Sequence, residues 1–475
     1  MAHKPSHMPL DRPLLNLSGG KNPADDFTVR HLFENIYIAG STGTGKTSGS
    51  GYALACSMLN AQGLRPEERI GIIVFLYKKE DAQDWLHWTD AHGRQQDVIH
   101  LQAHHTNVYN ILEQYEHKEP MNAVAALMSL SQLSLSGGNR RESESYWEIE
   151  QAKRLDRLIR LVTLARLPLT IDNLYKVHVS SPIEPLQMKD QEFRGSSFCW
   201  QMLEQAAERS GEECPDFKLV EDYFLREMVY LADRTSSSIR AMTSGVLEPF
   251  ISSSLLKNFF GGTSNFHLEE AFRGRIVLLD IPIAIHGHAG RVLQCVFKYA
   301  FQKAVEQRDL KQYPNPVVFW QDEAQAFLVG QSDFAFMSTC RSSRAGSVLL
   351  TQNISNFYAT LGGGPQAEAQ VNSLLGLCNI KIFHANNDYV TNEWAAKTIG
   401  MGIRNLTSFS VGHSNDSATS TQHMQYLVEP REFTMLRTGG AGNDYLVDAV
   451  IAGTGRVFST EANFLPTTFR QPQTH

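Results

Sequence analysis

The feature that most constrains this chain is a glycine-rich segment at residues 40–47, directly after a short apolar run at residues 35–39. Its pattern, G-x-x-x-x-G-K-[ST], is that of the loop that holds nucleotide phosphates between a strand and a helix. Glycines let backbone N–H groups turn toward the phosphates, Lys46 adds a positive charge, and the Thr47 hydroxyl can ligate Mg²⁺. The sequence therefore predicts a site for ATP or GTP. The predicted phosphate-binding residues are Gly40, Ser41, Thr42, Gly43, Thr44, Gly45, Lys46, Thr47 and Ser48.

Apolar and β-branched runs alternate with helical patterns in much of the chain, which predicts a parallel sheet flanked by helices. In an open α/β sheet, ligands bind at the carboxyl ends of the strands, where the glycine-rich segment would lie. Helices are predicted at residues 48–59 and 392–399. The predicted strands are residues 70–77, 275–281, 316–320, 347–351 and 379–384.

A long stretch between residues 111 and 261 has a helical period and lacks the strand alternation. It is too long for a loop in a compact domain, which predicts a separate helical domain. Its best helix begins at Ser145 and ends before Pro168. The basic residues on the non-apolar faces of this helix are Lys153, Arg154, Arg157 and Arg160. They either contact DNA or form a solvated helix face, and such charge runs are more often solvated.

Composition limits the function further. The net charge is -7 and the pI is about 6.2, so any contact with nucleic acid is expected to be local or within an assembled channel. The six cysteines lack C-x-x-C spacing, which indicates reduced thiols in the cytoplasm and no zinc site. No segment approaches the ~18 apolar residues of a membrane span, so a soluble, cytoplasmic chain is expected. Residues 414–421 have the composition of a flexible surface loop.

A second half of the nucleotide site is predicted where the apolar strand at residues 316–320 leads into two carboxylates. Asp322 at the strand tip would hold Mg²⁺, and Glu323 would polarise the attacking water. Acids at strand ends are also common as solvated caps. The catalytic interpretation is favoured because a phosphate loop needs a metal partner.

Three further polar residues flank the strand at residues 347–351. Gln352 follows it and could orient the γ-phosphate, because an amide can bond both water and a phosphate oxygen. Arg341 and Arg344 precede it, and either could act as an arginine finger on the nucleotide of a neighbouring subunit. The alternative for each arginine is a salt bridge within the chain, and the sequence leaves both roles open.

The order of these motifs resembles that of the FtsK/HerA-like P-loop ATPases, and within them the type IV secretion coupling proteins of the TraG/TraD kind. The resemblance covers nearly the whole chain. Besides the phosphate loop and the carboxylate pair, it rests on residues 107–112, 146–147, 275–282, 351–355 and 374–382. It implies an α/β fold: a RecA-like P-loop NTPase core with a mostly parallel sheet, plus an inserted all-α domain. The implied boundaries are residues 1–112 and 262–475 for the RecA-like nucleotide-binding domain, and 113–261 for the all-α domain.

Carried over to this sequence, the resemblance implies a ring of subunits, hexameric in the family, with ATP and Mg²⁺ at the interfaces. Glu323 would be the catalytic carboxylate and Gln352 the third nucleotide motif. DNA, or a relaxase–DNA complex, would be recruited or pumped in conjugative transfer or type IV secretion. Relaxase or secretion-channel proteins would be the partners, and they would hold the cytoplasmic chain at the inner membrane.

This sequence departs from the family pattern at two places. The family begins with membrane-spanning helices, whereas here the phosphate loop starts at residue 40 with none before it. The chain would then be either a soluble relative or a shortened form. The family's Asp-Pro-Lys after the second strand is replaced here by Leu76-Tyr77-Lys78, which leaves the role of that aspartate open.

Two other functions agree with the same motifs. One is a nucleotide-gated recruitment scaffold in which slow hydrolysis acts as a switch, and the acidic net charge agrees with it. The other is a HerA-like DNA motor with a nuclease partner in repair or defence, which agrees with the missing membrane anchor.

Overall fold

The structure is a computed structural model, and it describes residues 8–20, 22–60, 64–104, 107–116, 118–134, 144–410 and 417–472. Among these residues, thirteen strands form one large sheet and two separate antiparallel pairs. The strands are β1 Pro13–Asn16, β2 Asp26–Thr28, β3 Ile36–Ala39, β4 Gly71–Phe75, β5 Val98–Gln102, β6 Ile276–Asp280, β7 Val317–Gln321, β8 Ala345–Thr351, β9 Ile380–Phe383, β10 Met401–Ser410, β11 Ser417–Tyr426, β12 Leu446–Gly453 and β13 Phe464–Arg470.

The central sheet has nine strands in the order β13-β12-β9-β3-β8-β7-β4-β6-β5. The seven strands from β9 to β5 are parallel, whereas β12 and β13 run antiparallel at one edge. Every residue of β4, β7 and β8 is buried, which is why these strands are continuous apolar runs in the sequence. The five strands predicted from such runs are confirmed, with ends that differ by one or two residues.

Helices cover both faces of this sheet. The helix after the phosphate loop begins with a π-helical turn, Thr47–Gly51, and continues as α1. The α-helices of the described residues are α1 Tyr52–Leu59, α2 Lys79–Ala91, α3 Pro120–Ser134, α4 Glu144–Leu164, α5 Ile171–Ser180, α6 Gln191–Ser196, α7 Phe198–Ser210, α8 Pro215–Asp222, α9 Met228–Tyr230, α10 Asp233–Ser252, α11 Ser254–Phe260, α12 Ile283–Gln307, α13 Gln331–Thr339, α14 Ile354–Thr360, α15 Gly364–Gly376 and α16 Tyr389–Ile399.

Helices α3 to α11 occupy the stretch for which a helical domain is predicted, and no strand interrupts them among its described residues. Their buried side chains share one hydrophobic cluster with one face of the central sheet. The other face of the sheet packs against α1 and α2 in a second cluster. The helical stretch is thus continuous in packing with the sheet, and the division into two domains at residues 112 and 261 stays a prediction.

The basic residues of α4 do not form the solvated face that the sequence favours. Arg154 is fully buried, where its Nε donates to His178 Nδ1 at 3.0 Å and its Nη2 to Ser181 Oγ at 2.9 Å. The other three are paired with carboxylates: Lys153 with Glu227, Arg157 with Asp156, and Arg160 with Asp156 and Asp216. The solvated interpretation is wrong for Arg154, and the same burial prevents it from reaching DNA.

Strands β10 and β11 form a long hairpin outside the central sheet. Because β11 begins at Ser417, the prediction of a flexible loop is wrong for residues 417–421. Residues 414–416 lie outside the described residues. Within the described ranges, no helix combines the length and apolar character that crossing a membrane requires.

Candidate nucleotide-binding site

The glycine-rich loop connects β3 to the helix that begins at Thr47, at the carboxyl edge of the parallel strands. The Gly40 amide donates to Thr351 O at the end of β8, at 3.3 Å, which fixes the start of the loop against the sheet. Gly43 and Gly45 have φ values of 76° and 84°, in the left-handed region that favours glycine. A Cβ at position 45 would also lie 2.6 Å from a methyl carbon of Val447. Larger residues would therefore strain this loop.

Several loop amides have no acceptor. The N–H groups of Gly43, Gly45 and Lys46 donate no hydrogen bond within the described part of the chain. Buried backbone donors are almost always paired in native proteins, so the amides of the buried Gly45 and Lys46 indicate a ligand that accepts from them, with the exposed Gly43 amide beside them. The positive end of the helix that begins at Thr47 also favours an anion here. The loop thus fits the phosphate groups of a nucleotide.

The remaining loop side chains support its conformation. Thr44 Oγ1 donates to Ser41 O at 2.7 Å, and Ser41 Oγ donates to Asn387 Oδ1 at 2.7 Å. Ser48 Oγ accepts from Gln471 Nε2 at 2.6 Å, which connects the helix start to the end of the last strand. Thr42 is exposed at the tip of the loop. The side chains of Ser41, Thr44 and Ser48 thus hold the loop, whereas that of Thr42 is exposed to solvent.

A hydroxyl and a carboxylate meet beside the loop. Thr47 Oγ1 donates to Asp322 Oδ2 at 3.0 Å, and Asp322 directly follows β7. Both oxygens are of the kind that Mg²⁺ binds, so the pair fits a metal ion held between loop and strand. Asp322 is 8% exposed, and burial raises the pKa of its carboxyl group, while the charge of Lys46 acts in the opposite direction. A bound cation would offset the cost of burying this carboxylate.

Glu323 has a strained backbone next to this pair. Its φ of 54° and ψ of 51° lie in the left-handed region, which for a residue other than glycine costs on the order of 1–3 kcal/mol. Its carboxylate accepts from Gln352 Nε2 at 2.9 Å and from Gln325 Nε2 at 2.9 Å. Glu323 Oε1 lies 3.9 Å from Lys46 Nζ, and both side chains are largely buried. The strained turn therefore directs the carboxylate toward the phosphate loop.

The structure brings most of the predicted site residues together: Lys46, Thr47, Asp322, Glu323 and Gln352 form one connected group. Gln352 lies directly after β8, as predicted, and its contact in the described chain is to Glu323. Its predicted role on the γ-phosphate stays a prediction. The same holds for the catalytic role of Glu323.

The two arginines lie at the other end of β8. Arg344 directly precedes this strand, is half-buried, and donates from Nη1 to Pro314 O at 3.2 Å. Arg341 is exposed in the preceding short helical turn. Neither arginine is near the phosphate loop of its own chain. Action on the nucleotide of another subunit stays a prediction, and the exposed Arg341 is the more accessible of the two.

Two residues of the site were not predicted from the sequence. Gln325 donates to Glu323 and accepts from Thr351 Oγ1 at 2.8 Å, so it bridges the ends of β7 and β8. Asp81, in the first turn of α2, lines a small cavity together with Thr47 and Asp322. Burial, together with the charge of Asp322, raises the pKa of Asp81 to about 7. The signal for Gln325 was its position two residues after the carboxylate pair, whereas only the packing of α2 reveals Asp81.

A comparison of sequences identifies part of the chain. Residues 316–437, which contain Asp322, Glu323 and Gln352, match the family model described as the TraM recognition site of TraD and TraG. No curated protein matches the sequence as a whole. The family match thus covers β7, β8 and β9, which lie on both sides of β3 in the central sheet.

Solved structures share the fold of nearly the whole chain. The unbound form of the bacterial conjugative coupling protein TrwBdeltaN70 has a TM-score of 0.63 at 13% identity, over 98% of this chain and 91% of that chain. The plasmid coupling protein TrwB in complex with ADP and Mg²⁺ has a TM-score of 0.61 at 14% identity, over 95% and 88%. TrwB with the GTP analogue GDPNP gives 0.60 at 13%, over 95% and 90%. The chain therefore has the fold of these coupling-protein structures, which confirms the predicted RecA-like P-loop fold, and the match of residues 316–437 confirms the resemblance to TraD and TraG over that part of the chain.

Proposed function

We propose that this protein hydrolyses ATP with Mg²⁺ to recruit or move DNA, or a relaxase–DNA complex, in conjugative transfer or type IV secretion. The observation that carries the proposal is the convergence of Lys46, Thr47, Asp322 and Glu323 on a loop with unpaired amides. Phosphate donors, metal ligands and a carboxylate for the water are the parts that a P-loop hydrolase needs. The complexes of TrwB with ADP and Mg²⁺ and with analogues of GTP and ATP support a nucleotide here.

Each group has one task in the proposed reaction. The free loop amides and the Lys46 ammonium bind the phosphates, and Thr47 with Asp322 would hold Mg²⁺. The metal ion, when bound, withdraws charge from the β- and γ-phosphate oxygens. Glu323 orients the attacking water and accepts its proton. Because Gln325 and Gln352 each donate to one Glu323 oxygen, the carboxylate is oriented before the nucleotide arrives.

The contact between Lys46 and Glu323 gives the site a resting state. At 3.9 Å the two charges neutralise each other without a short hydrogen bond. A γ-phosphate would draw Lys46 toward itself, and Glu323 would lose its counter-charge at the moment it is needed as a base. Nucleotide binding would thus activate the carboxylate.

The test is the substitution Glu323→Gln, which keeps the shape of the side chain and removes its basicity. We expect kcat to fall by about 10²–10⁴-fold, as for loss of a general base, while the Kd for ATP changes by less than about threefold. Glu34→Gln is the control, since it makes the same substitution at a half-buried glutamate at the opposite edge of the sheet. Unchanged hydrolysis in Glu323→Gln would contradict the proposal.

Coupling to DNA is the finer part of the proposal, supported by the fold of a conjugative coupling protein. We expect DNA to stimulate hydrolysis, and DNA affinity to fall linearly with salt on logarithmic axes, because phosphate contacts release counterions. In a hexameric ring, Arg341→Ala would lower hydrolysis only in the assembled protein. If DNA does not change the rate of hydrolysis, and if DNA affinity does not depend on salt, the nucleotide-gated recruitment scaffold would be favoured.

Partner proteins are proposed from the family match. Because residues 316–437 match the TraM recognition site of TraD and TraG, we propose that this part of the chain binds a protein of the conjugation machinery. Relaxase or secretion-channel proteins would bring the chain to the inner membrane. The helices of residues 113–261 are proposed as a separate domain that contributes to recruitment. Cross-linking in cells with probes placed in each of the two segments would identify which one touches a partner.

A further inference from the structure

Helix α12 carries polar side chains on a buried face. Gln294, Lys298 and Gln302 are each at most 2% exposed, and with Arg291 they follow the spacing that places residues on one side of a helix. Packing alone does not require them, because apolar residues in such positions are usually at least as stable. The helix is also interrupted at Gly287, where φ is 54°, just before this face begins. We call these four residues the polar stripe of α12.

The first part of the polar stripe fixes two strand ends. Gln294 Nε2 donates to Leu76 O and to Ile281 O, both at 2.7 Å, and its Oε1 accepts from Leu76 N at 2.8 Å. Leu76 follows β4 and Ile281 follows β6, so one buried amide joins neighbouring strands at the carboxyl edge. This is the edge that carries the nucleotide site.

The second part of the polar stripe holds the segment that follows Glu323. Lys298 Nζ donates to Phe327 O at 2.9 Å and forms an ion pair with Asp333 at 2.8 Å. Asp333 Oδ2 in turn accepts from Val329 N at 2.7 Å. The ion pair is buried on both sides, so water cannot replace these bonds. The turn after the strained Glu323 is therefore fixed to α12.

A face of α12 beside the polar stripe contacts the helical stretch through aromatic rings. Phe297 lies 5.7 Å from Tyr109, 5.4 Å from Phe260 and 6.2 Å from Phe266, measured between ring centroids. These residues flank the points where the chain enters and leaves the helical stretch, and Tyr109 N donates to Phe259 O at 2.7 Å across those points. One helix thus contacts the turn after Glu323 through its polar stripe and both junctions of the helical stretch through Phe297.

We propose that α12 couples the nucleotide site to helices α3–α11, and that Lys298 is a positioning residue for Glu323. This inference rests on the proposed function, because it assigns the path by which hydrolysis would act on the helical stretch. A shift of the turn after Glu323 must move Lys298, since their buried bonds have no substitute. A rigid helix then transmits that shift to Phe297 and the junctions.

The test replaces the buried ion pair without leaving a charge alone. In the double variant Lys298→Met with Asp333→Asn, Met fills the volume of the lysine and Asn keeps an acceptor for Val329 N. Replacement of a whole buried pair is often close to neutral for stability, so a folded protein is expected. We expect kcat to fall at least about tenfold through loss of orientation, and the Kd for ATP to change less than about threefold.

The matched control is Lys381→Met, which also removes a buried lysine that donates to a backbone carbonyl, that of Cys378. It lies on β9, outside the contacts of α12, so kcat should stay within about twofold of the parent. Equal losses of kcat in the control and in the double variant would show a general effect of removing a buried lysine, and would overturn the role of Lys298.

A second measurement does not depend on hydrolysis. Addition of the ATP analogue ADPNP with Mg²⁺ should slow amide hydrogen exchange at residues 107–112 and 254–266 in the parent and the control, and fail to do so in the double variant. If the parent binds ADPNP but does not hydrolyse ATP, the proposed function fails while this measurement still tests the coupling. Two results would overturn the inference: amide exchange at these junctions that does not slow when ADPNP is added to the parent, or slowing that also occurs in the double variant.

Discussion

Two buried polar regions of this molecule differ in how their groups are paired. In the helical stretch, Arg154 makes hydrogen bonds to His178 and Ser181, and Arg240 Nη1 shares the Ser181 hydroxyl at 2.7 Å. At the edge of the sheet, the amides of Gly45 and Lys46 donate no hydrogen bond within the described residues, and the carboxylates of Asp322 and Glu323 are adjacent. Burial is similar in the two regions. The helical region supplies most of its own side-chain partners, with Arg154 Nη1 an exception among the described residues, whereas the nucleotide site supplies none for its loop amides.

The difference indicates how to tell a structural polar cluster from a functional one. Because an arginine only donates, His178 Nδ1 must accept, which leaves His178 neutral with its proton on Nε2, 2.9 Å from Ser244 Oγ. Each hydrogen bond in this cluster fixes whether the next group donates or accepts, as expected of a network that stabilises a fold. At the nucleotide site, by contrast, the unpaired amide donors and the strained backbone of Glu323 are features typical of a site that binds a ligand. Substitutions should therefore affect stability in one region and activity in the other.

The largest expected effect comes from Lys46→Met. Removal of the ammonium group that faces the phosphates should lower kcat/KM for ATP by at least about 100-fold. The free energy of unfolding without nucleotide should fall by less than about 3 kcal/mol, because Glu323 keeps its hydrogen bonds from Gln325 and Gln352 when its counter-charge is removed. Steady-state kinetics and urea denaturation measure the two quantities. A large loss of stability would show that this site, too, is built mainly for the fold.

The reverse pattern is expected for Arg154→Met. The free energy of unfolding should fall by about 3 kcal/mol, because His178 Nδ1 and the Ser181 hydroxyl lose a buried donor. The kcat of the folded fraction should remain within about twofold of the parent. Lys153→Met on the same helix is the control, since its half-exposed pair with Glu227 is worth less than about 1 kcal/mol. Urea denaturation of both variants would decide the comparison.

The two regions also differ in how much of their structure could be predicted from the sequence alone. The phosphate loop, Asp322, Glu323 and Gln352 were predictable because each directly follows a buried strand, and parallel strands end at one edge. The same rule, applied strictly, places Arg341 and Arg344 at the other edge, since they precede β8. The contact of Gln325 with Glu323 depends on a left-handed turn for which glutamate is an unusual residue.

The burial of Arg154 could not be predicted from the sequence either, and the reason differs from that for the contact of Gln325. It precedes Leu155 at the edge of the apolar stripe of α4, where a long basic side chain usually extends into water. Its partners His178 and Ser181, and Arg240 that shares the Ser181 hydroxyl, come from segments 24 to 86 residues away, and only tertiary packing brings them together. The polar stripe of α12 has the same origin, because its acceptors are carbonyl groups of three separate segments.

Acid should weaken the helical region through His178. Burial and the charges of Arg154 and Arg240 lower the pKa of His178 to about 3, whereas the unfolded chain has the ordinary value of 6.5. Between these values the unfolded state binds the proton, so stability is full above pH 6.5 and falls as the pH decreases. The slope from this residue is at most about 1.4 kcal/mol per pH unit. His178→Asn should show a shallower decline between pH 6.5 and 5 in chemical denaturation, and equal slopes would contradict the neutral network.

The smallest change in stability, and the one that tests stored strain directly, is expected for Glu323→Asn. Asparagine tolerates the left-handed conformation better than glutamate does, and the substitution removes a buried carboxylate beside Asp322. The protein without nucleotide should become about 1 kcal/mol more stable while hydrolysis is lost, the exchange of stability for function typical of active sites. Arg166→Asn is the matched control, because Arg166 has a φ of 50° but is exposed in the helical stretch. It should gain stability from the backbone alone and keep full hydrolysis. Glu323→Asn could instead prove less stable than the parent while Arg166→Asn is more stable. In that case the contacts of the Glu323 carboxylate with Gln325, Gln352 and Lys46 contribute more to stability than the backbone strain costs. The side chains of the nucleotide site would then stabilise the fold as the cluster around Arg154 does.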